Sequence, residues 1–266
     1  VELFDTTCYK PDLITDSDGT KRDHHATQVD RLNVIPFGSG GFTPKINTTD
    51  WRNDFKKQVQ SFNPDLIAMS CTEDMWELGL SMLEEVERYI VENQIPVLAG
   101  GVFPTFAPEI VIKHFLINLV CVGEGENAIR NLCERIERGG SYHDVTNLWV
   151  KGRDGTVFKN QMSDPVDVNA MPMMDIDLFE EQRLYRPMAG KWYKMLPVET
   201  IRGCPYKCTY CNSPNQMEIY DTNIDADYFR KKRIDLVYKE LKYFKDNVGV
   251  EYNYFWADTF LAVSDK

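Results

Sequence analysis

Three cysteines crowd into one short stretch, Arg202-Gly203-Cys204-Pro205-Tyr206-Lys207-Cys208-Thr209-Tyr210-Cys211-Asn212. Their spacing is C-x3-C-x2-C. Three thiolates from one loop can converge on a single metal centre, and soft thiolate ligands suit iron–sulfur clusters or zinc. A structural zinc site needs a fourth protein ligand. No Cys or His follows Cys211, and the four histidines lie at 24, 25, 114 and 143. A distant fourth ligand would complete a zinc site or a structural cluster. With no fourth ligand, a cubane held by three cysteines keeps one iron open to a substrate or cosubstrate. A lone C-x2-C would carry little weight; the full spacing directly after a strand carries more.

The remaining cysteines read differently. The chain has seven, an odd number and not a disulfide framework, which fits metal-binding use and a cytoplasmic compartment. Cys121 on a strand and Cys133 on a helix are expected to be buried small hydrophobes. Cys71 follows Ser70 at a strand end. Glu73 and Asp74 read as first-turn helix acids.

The elements that must position these residues follow from periodicity. Val1–Asp5 reads as the middle of a strand, and because the chain begins with Val, further residues are expected before it. Residues 9–50 form a long polar loop. Trp51, Phe55 and Val59 recur at helical spacing. Leu66–Ser70 reads as a buried parallel strand. The next helix starts at Thr72-Glu73-Asp74 and places Met75, Leu78, Met82, Val86 and Ile90 on one face. Ile95–Ala99 and Leu119–Val122 are further strands, ending in Gly100-Gly101 and Gly123-Glu124-Gly125. Helices are expected over Pro108–Phe115 and Asn127–Glu137. Glu124 and Glu126 read as caps of the latter.

This alternation predicts an α/β fold, a Rossmann-like doubly wound parallel sheet over residues 1–140. Ligands of such sheets bind beyond the carboxyl ends of the strands. Ser70, Gly100, Gly101 and Gly123 sit there. Asn147–Asn160 reads as a hairpin around Asp154-Gly155. Residues 141–195 are read as hairpin and linker, irregular over 161–195. Residues 196–266 open a second domain: strand Val198–Ile201, the cysteine loop, a long helix Asp225–Asn247 with Ile234, Val237, Leu241 and Phe244 inward, and strand Tyr252–Trp256.

Bulk composition excludes some classes. Thirty Lys and Arg stand against 41 Asp and Glu, a net charge of −11, so a nucleic-acid footprint is not expected. No apolar run approaches the ~20 residues that span a bilayer.

The cysteine spacing, with the aromatic Tyr210 before the third Cys, resembles the radical S-adenosylmethionine (SAM) superfamily. The resemblance implies a [4Fe-4S] cluster on Cys204, Cys208 and Cys211, with SAM on the open iron and Tyr210 near its adenine. Reductive cleavage of SAM to a 5′-deoxyadenosyl radical follows from the same likeness. Asp258, in Trp256-Ala257-Asp258-Thr259-Phe260, falls where the family contacts the methionyl amine, although this stretch departs from the common Gly-Gly-Glu.

Ala99–Thr105, Pro108-Glu109 and Val122–Glu126 are similar to the cobalamin (B12)-binding domain of the cobalamin-dependent subgroup. That likeness assigns cobalamin to Ser70, Gly100, Gly101 and Gly123. The Asp-x-His-x-x-Gly motif of some cobalamin proteins is absent; Asp23-His24-His25 reads as a solvated loop pair.

The implied fold is therefore a B12-binding domain, its first strand and helix expected to be missing, then a partial (β/α) radical SAM barrel. The chain reads as an internal fragment, inactive alone, of an enzyme that methylates an unactivated carbon. Cyclisation, rearrangement or oxidation without methyl transfer is the alternative outcome. A cobalamin- or zinc-binding module without catalysis is the other. Expected partners are a small-molecule or natural-product substrate and an electron donor such as flavodoxin or ferredoxin.

Overall fold

The computed structural model describes residues 1–9, 42, 45, 47–188, 191–257 and 259–262. They form two compact units. One comprises Thr49–Val166 and Ile219–Ala226; the other comprises Val1–Thr48, Asp167–Glu218 and Asp227–Lys266.

The first unit opens with α1 (Trp51–Phe62). Asp50 caps it, its Oδ1 accepting the Arg52 N–H at 3.0 Å, and Asn63 ends it in the left-handed region. Trp51, Phe55 and Val59 are buried, as their spacing requires. Strand β1 (Ile67–Ser70) is followed by a short 3-10 turn and then α2 (Trp76–Glu85) and α3 (Glu87–Asn93). The buried residues here are Trp76, Leu83, Val86 and Ile90, while Met75 is 41% exposed. The inward face is thus rotated by one residue from the expected one at its start. Gly79 lies on it, and a Cβ there would collide with Met69 Sδ of β1, so the helix packs its glycine onto the sheet.

Strand β2 (Val97–Gly100), the short helices α4 (Val102–Phe106) and α5 (Pro108–Val111), strand β3 (Leu119–Cys121) and α6 (Glu126–Glu137) follow. β1, β2 and β3 pair in parallel, with Ser70 opposite Gly100 and Ala99 opposite Val120. Val97–Ala99 and Leu119–Cys121 are buried throughout, the pattern of strands covered on both faces. β1 lies at the sheet edge, so Ala68 and Ser70 are exposed where a fully buried strand is expected.

The hairpin β4 (Leu148–Lys151) and β5 (Val157–Lys159) forms as its Asp-Gly turn dictates. It pairs antiparallel onto β3, Val120 opposite Trp149, and extends the sheet to five strands in the order β1-β2-β3-β4-β5. The fold class stands: a Rossmann-like α/β domain, its parallel strands continued by an antiparallel pair. Leu98, Leu119, Leu132, Leu148 and Val150 form the core of this unit. In α6, Ala128 and Leu132 face that core, and Cys133, one residue further round the helix, is exposed, against expectation.

In the other unit, Val1–Thr6 form no strand; Tyr9 makes a lone bridge with Asn47. An extended segment becomes a strand only where a ladder partner meets it, and Val1 is 98% exposed. β6 (Tyr185–Met188) and β7 (Lys191–Arg202) pair antiparallel in the stretch expected to be irregular, so β7 starts seven residues before the predicted strand Val198–Ile201. α7 (Ser213–Ile224) follows the cysteine loop, its residues from Ile219 onward belonging to the first unit. The predicted long helix divides into a short strand β8 (Arg230–Lys231) and α8 (Ile234–Tyr243), which continues as a π turn to Val248. Ile234 is 87% exposed, not inward. Phe244 is fully buried against Leu196, Val198 and Val250. β9 (Tyr252–Ala257) pairs in parallel with β7, which gives the expected βαβ unit. No described helix is long and apolar enough to cross a membrane.

Candidate functional site

The carboxyl ends of β1, β2 and β3 carry Ser70, Gly100, Gly101 and Gly123. Gly101 has φ +99, and a Cβ on it would lie 2.8 Å from the Cys71 carbonyl oxygen and 2.9 Å from Ser70 Oγ. Gly123 has φ +85, and a Cβ there would lie 2.7 Å from the Tyr220 hydroxyl and 2.9 Å from Met162 Cε. At both positions the missing side chain makes room for the chain itself. Gly100 differs: a Cβ there would meet only Cys121 Cβ, at 3.6 Å. Of the three glycines, Gly100 is the one whose smallness no internal contact demands.

Thr105 joins the two turns. Its Oγ1 donates to the Gly101 carbonyl at 2.8 Å and accepts the Gly123 N–H at 3.1 Å. The Glu124 N–H donates to the Tyr220 hydroxyl at 2.7 Å. The Glu124 carboxylate does not cap α6 as expected; its Oε2 accepts the Val166 N–H at 2.7 Å. Asn147, 3% exposed with φ +65, donates from Nδ2 to the Glu124 carbonyl at 2.8 Å and accepts the Ser163 N–H at 2.6 Å. Thr105, Tyr220 and Asn147 were not among the candidate residues read from the sequence. Thr105 has the visible signal of standing four residues after Gly101 at a helix start. Tyr220 has none, because its partner is 96 residues away.

Burial pushes the Cys71 thiol up to about 11. It pushes Cys121 up to about 12, with the charge of Glu126 adding to the rise. Both are therefore protonated structural thiols near neutral pH.

The cysteine loop leaves β7 through Gly203, at φ +91. A Cβ on Gly203 would lie 2.5 Å from the Tyr228 carbonyl oxygen, so only glycine fits. Cys204 is buried, Cys208 half-buried and Cys211 exposed, and all are free thiols. The Cys211 N–H donates to the Cys208 carbonyl at 3.3 Å, and the Ser213 N–H to Cys211 Sγ at 3.4 Å. Among the described residues no three His, Cys, Asp or Glu side chains are gathered closely enough to hold a metal ion.

The donor set nonetheless fits an iron–sulfur centre in kind: three soft ligands in one loop, with the buried Ser213 Oγ beside them lacking a partner. Tyr210 is 91% exposed, and hydrogen bonding to the Cys208 thiol raises its phenol above the ordinary value. Asp258, His24 and His25 lie outside the described residues.

Residues 43–133 match the B12 binding domain family. The fold also matches a solved structure of the cobalamin-dependent SAM radical enzyme OxsB with aqua-cobalamin and SAM bound: TM-score 0.63, 18% identity, 89% of this chain and 33% of that one. Residues 43–133 thus carry a B12-binding domain, and the chain shares the fold of that OxsB structure. Among curated relatives it is 26% identical over 214 residues to an uncharacterised methyltransferase of Pyrococcus horikoshii, covering 78% of this chain and 42% of that protein. It is 25% identical over 163 residues to 4′-phospho-dehydrooxetanocin synthase of Priestia megaterium, covering 60% and 21%. The chain thus spans less than half the length of these curated relatives.

Proposed function

We propose that the protein is a cobalamin-dependent radical SAM enzyme that methylates an unactivated carbon. The observation that carries this reading is the set of three free thiols, Cys204, Cys208 and Cys211, in the loop after β7 of a chain that also holds a B12-binding domain. Bound there, a [4Fe-4S] cluster would supply the electron that cleaves SAM to the 5′-deoxyadenosyl radical, and cobalamin would carry the methyl group.

The chain's own residues hold and orient. Cys204, Cys208 and Cys211 would ligate three irons. Tyr210, exposed beside Cys208, offers an aromatic face to an adenine. Ser70 and Gly100, side by side at the carboxyl ends of β1 and β2, offer a small hydroxyl and bare backbone to cobalamin, with Gly101 and Gly123 shaping the turns. Asp258 would contact the SAM amine. A one-electron donor of flavodoxin or ferredoxin type and a small-molecule substrate complete the system.

The experiment is anaerobic reconstitution of the full-length protein, with iron quantified and the electron spin resonance spectrum recorded with and without SAM. A reduced-cluster signal that SAM alters, and that Cys208→Ala abolishes, is expected. No cluster in the wild type, or one intact in Cys208→Ala, sinks the reading. A second outcome is favoured by the relative named as a synthase and not a methyltransferase: cyclisation, rearrangement or oxidation without methyl transfer. Incubation with SAM labelled in its methyl group separates them, because only methylation moves the label to product.

A further inference from the structure

The last four residues of β7 depart from a regular strand. β7 pairs residue by residue with β9 from Met195 opposite Tyr252 to Glu199 opposite Trp256, but the next pair is Ile201 opposite Ala257. Thr200 is therefore an extra residue without a counterpart, a β-bulge. Its Oγ1 is buried without a partner. On an uninterrupted strand, residues three apart point to opposite faces. Here Glu199 and Arg202 meet: Nε to Oε1 at 2.8 Å and Nη2 to Oε2 at 3.0 Å. This is a two-pronged guanidinium–carboxylate fork, with the side chains 17% and 31% exposed for Arg202 and Glu199.

Other contacts converge on the same point. Arg202 stands opposite Arg230 of β8, whose Nε donates to the Tyr228 carbonyl at 3.2 Å. The Thr200 carbonyl accepts the Lys232 N–H at 2.8 Å. Gly203 then turns against the Tyr228 carbonyl, and Cys204 follows, 8% exposed. Cys204 thus follows directly on an anchored stretch of backbone.

We propose that Glu199 and Arg202 are positioning residues for the cysteine loop. The bulge at Thr200 turns Arg202 onto the face of Glu199, and the fork fixes the strand's final peptides. That sets the direction in which Cys204 leaves the sheet. The proposal rests on the reading of this loop as an iron–sulfur site.

The test uses the full-length protein with Glu199→Gln, Arg202→Lys, and the double variant Glu199→Gln/Arg202→Met, which removes both charges of the fork together. Three quantities are read: thermal midpoint, amide hydrogen exchange of residues 203–212 in the metal-free protein, and iron retained per chain after reconstitution. Each single variant should speed loop exchange about tenfold and lose at least half of the iron, since loss of a charge-assisted fork opens the local structure. Lysine keeps the charge but not the fork, so Arg202→Lys should not rescue. The double variant should recover the midpoint but not the iron. Wild-type iron and exchange in the single variants, or full recovery of both in the double variant, overturns the proposal. If the singles fail to fold, the double variant decides alone. A wild type without a cluster removes the underlying reading, and this one with it; a cluster present in the wild type, lost in Cys208→Ala and kept in the Glu199 and Arg202 variants removes this proposal only.

Discussion

The Thr105 hydroxyl accepts the Gly123 N–H at 3.1 Å and so ties the turn after β3 to the turn after β2. Replacing Thr105 by Val keeps the shape and removes the acceptor. A partly buried N–H left without a partner costs about 1–3 kcal/mol. Urea unfolding of Thr105→Val should show a loss of that size. Cobalamin binding, followed by absorbance, should weaken in step, because both turns shape the proposed edge. Unchanged stability would show that the bridge contributes nothing.

Gly100 and Gly101 are adjacent but should respond oppositely to alanine. At Gly101 a methyl group would sit within 3 Å of the Cys71 backbone at φ +99, so Gly101→Ala should unfold or strongly destabilise the domain. At Gly100 the methyl would make an ordinary 3.6 Å contact. Gly100→Ala should keep the wild-type circular dichroism and thermal midpoint while cobalamin affinity falls. Undiminished affinity would show that the ligand does not approach Gly100.

Tyr220, 2% exposed, accepts the Glu124 N–H through its hydroxyl. Tyr220→Phe removes the hydroxyl that accepts it and should cost about 1–3 kcal/mol. Exchange of the Glu124 amide should quicken, as resolved by nuclear magnetic resonance. Tyr220→Ala also vacates the volume and should cost about 3–5 kcal/mol, as for other buried aromatics.

The raised thiols give stability a definite alkaline limit. Burial lifts Cys71 from 9.0 to about 11 and Cys121 to about 12. Between those values the folded chain holds protons that the unfolded chain has released. Their contribution is complete below pH 9 and is lost as pH rises through about 11 for Cys71 and about 12 for Cys121. Cys71→Ala should lose less stability than the wild type between pH 9 and 11, as read from unfolding midpoints across that range. Parallel curves for the two proteins would contradict this.

Much of the fold and of the site was legible because it depends on neighbours in sequence. The apolar runs at Val97–Ala99 and Leu119–Cys121, the helical spacing of Trp51, Phe55 and Val59, and the Asp154-Gly155 turn each encode an element within a few residues. The three cysteines and the glycines at the strand ends were visible for the same reason.

What the tertiary structure decided depends on partners far along the chain. Gly123 is needed because Tyr220 and Met162 crowd it. Glu124 binds Val166 instead of its own helix. The hairpin joins the sheet because β3 would otherwise be left with an unpaired edge. Helix periodicity leaves the phase of a face open by one residue, and packing against the sheet chose Trp76 over Met75 and left Cys133 outward. Regular strand alternation would put Glu199 and Arg202 on opposite faces; the bulge at Thr200, set by pairing with β9, brings them together.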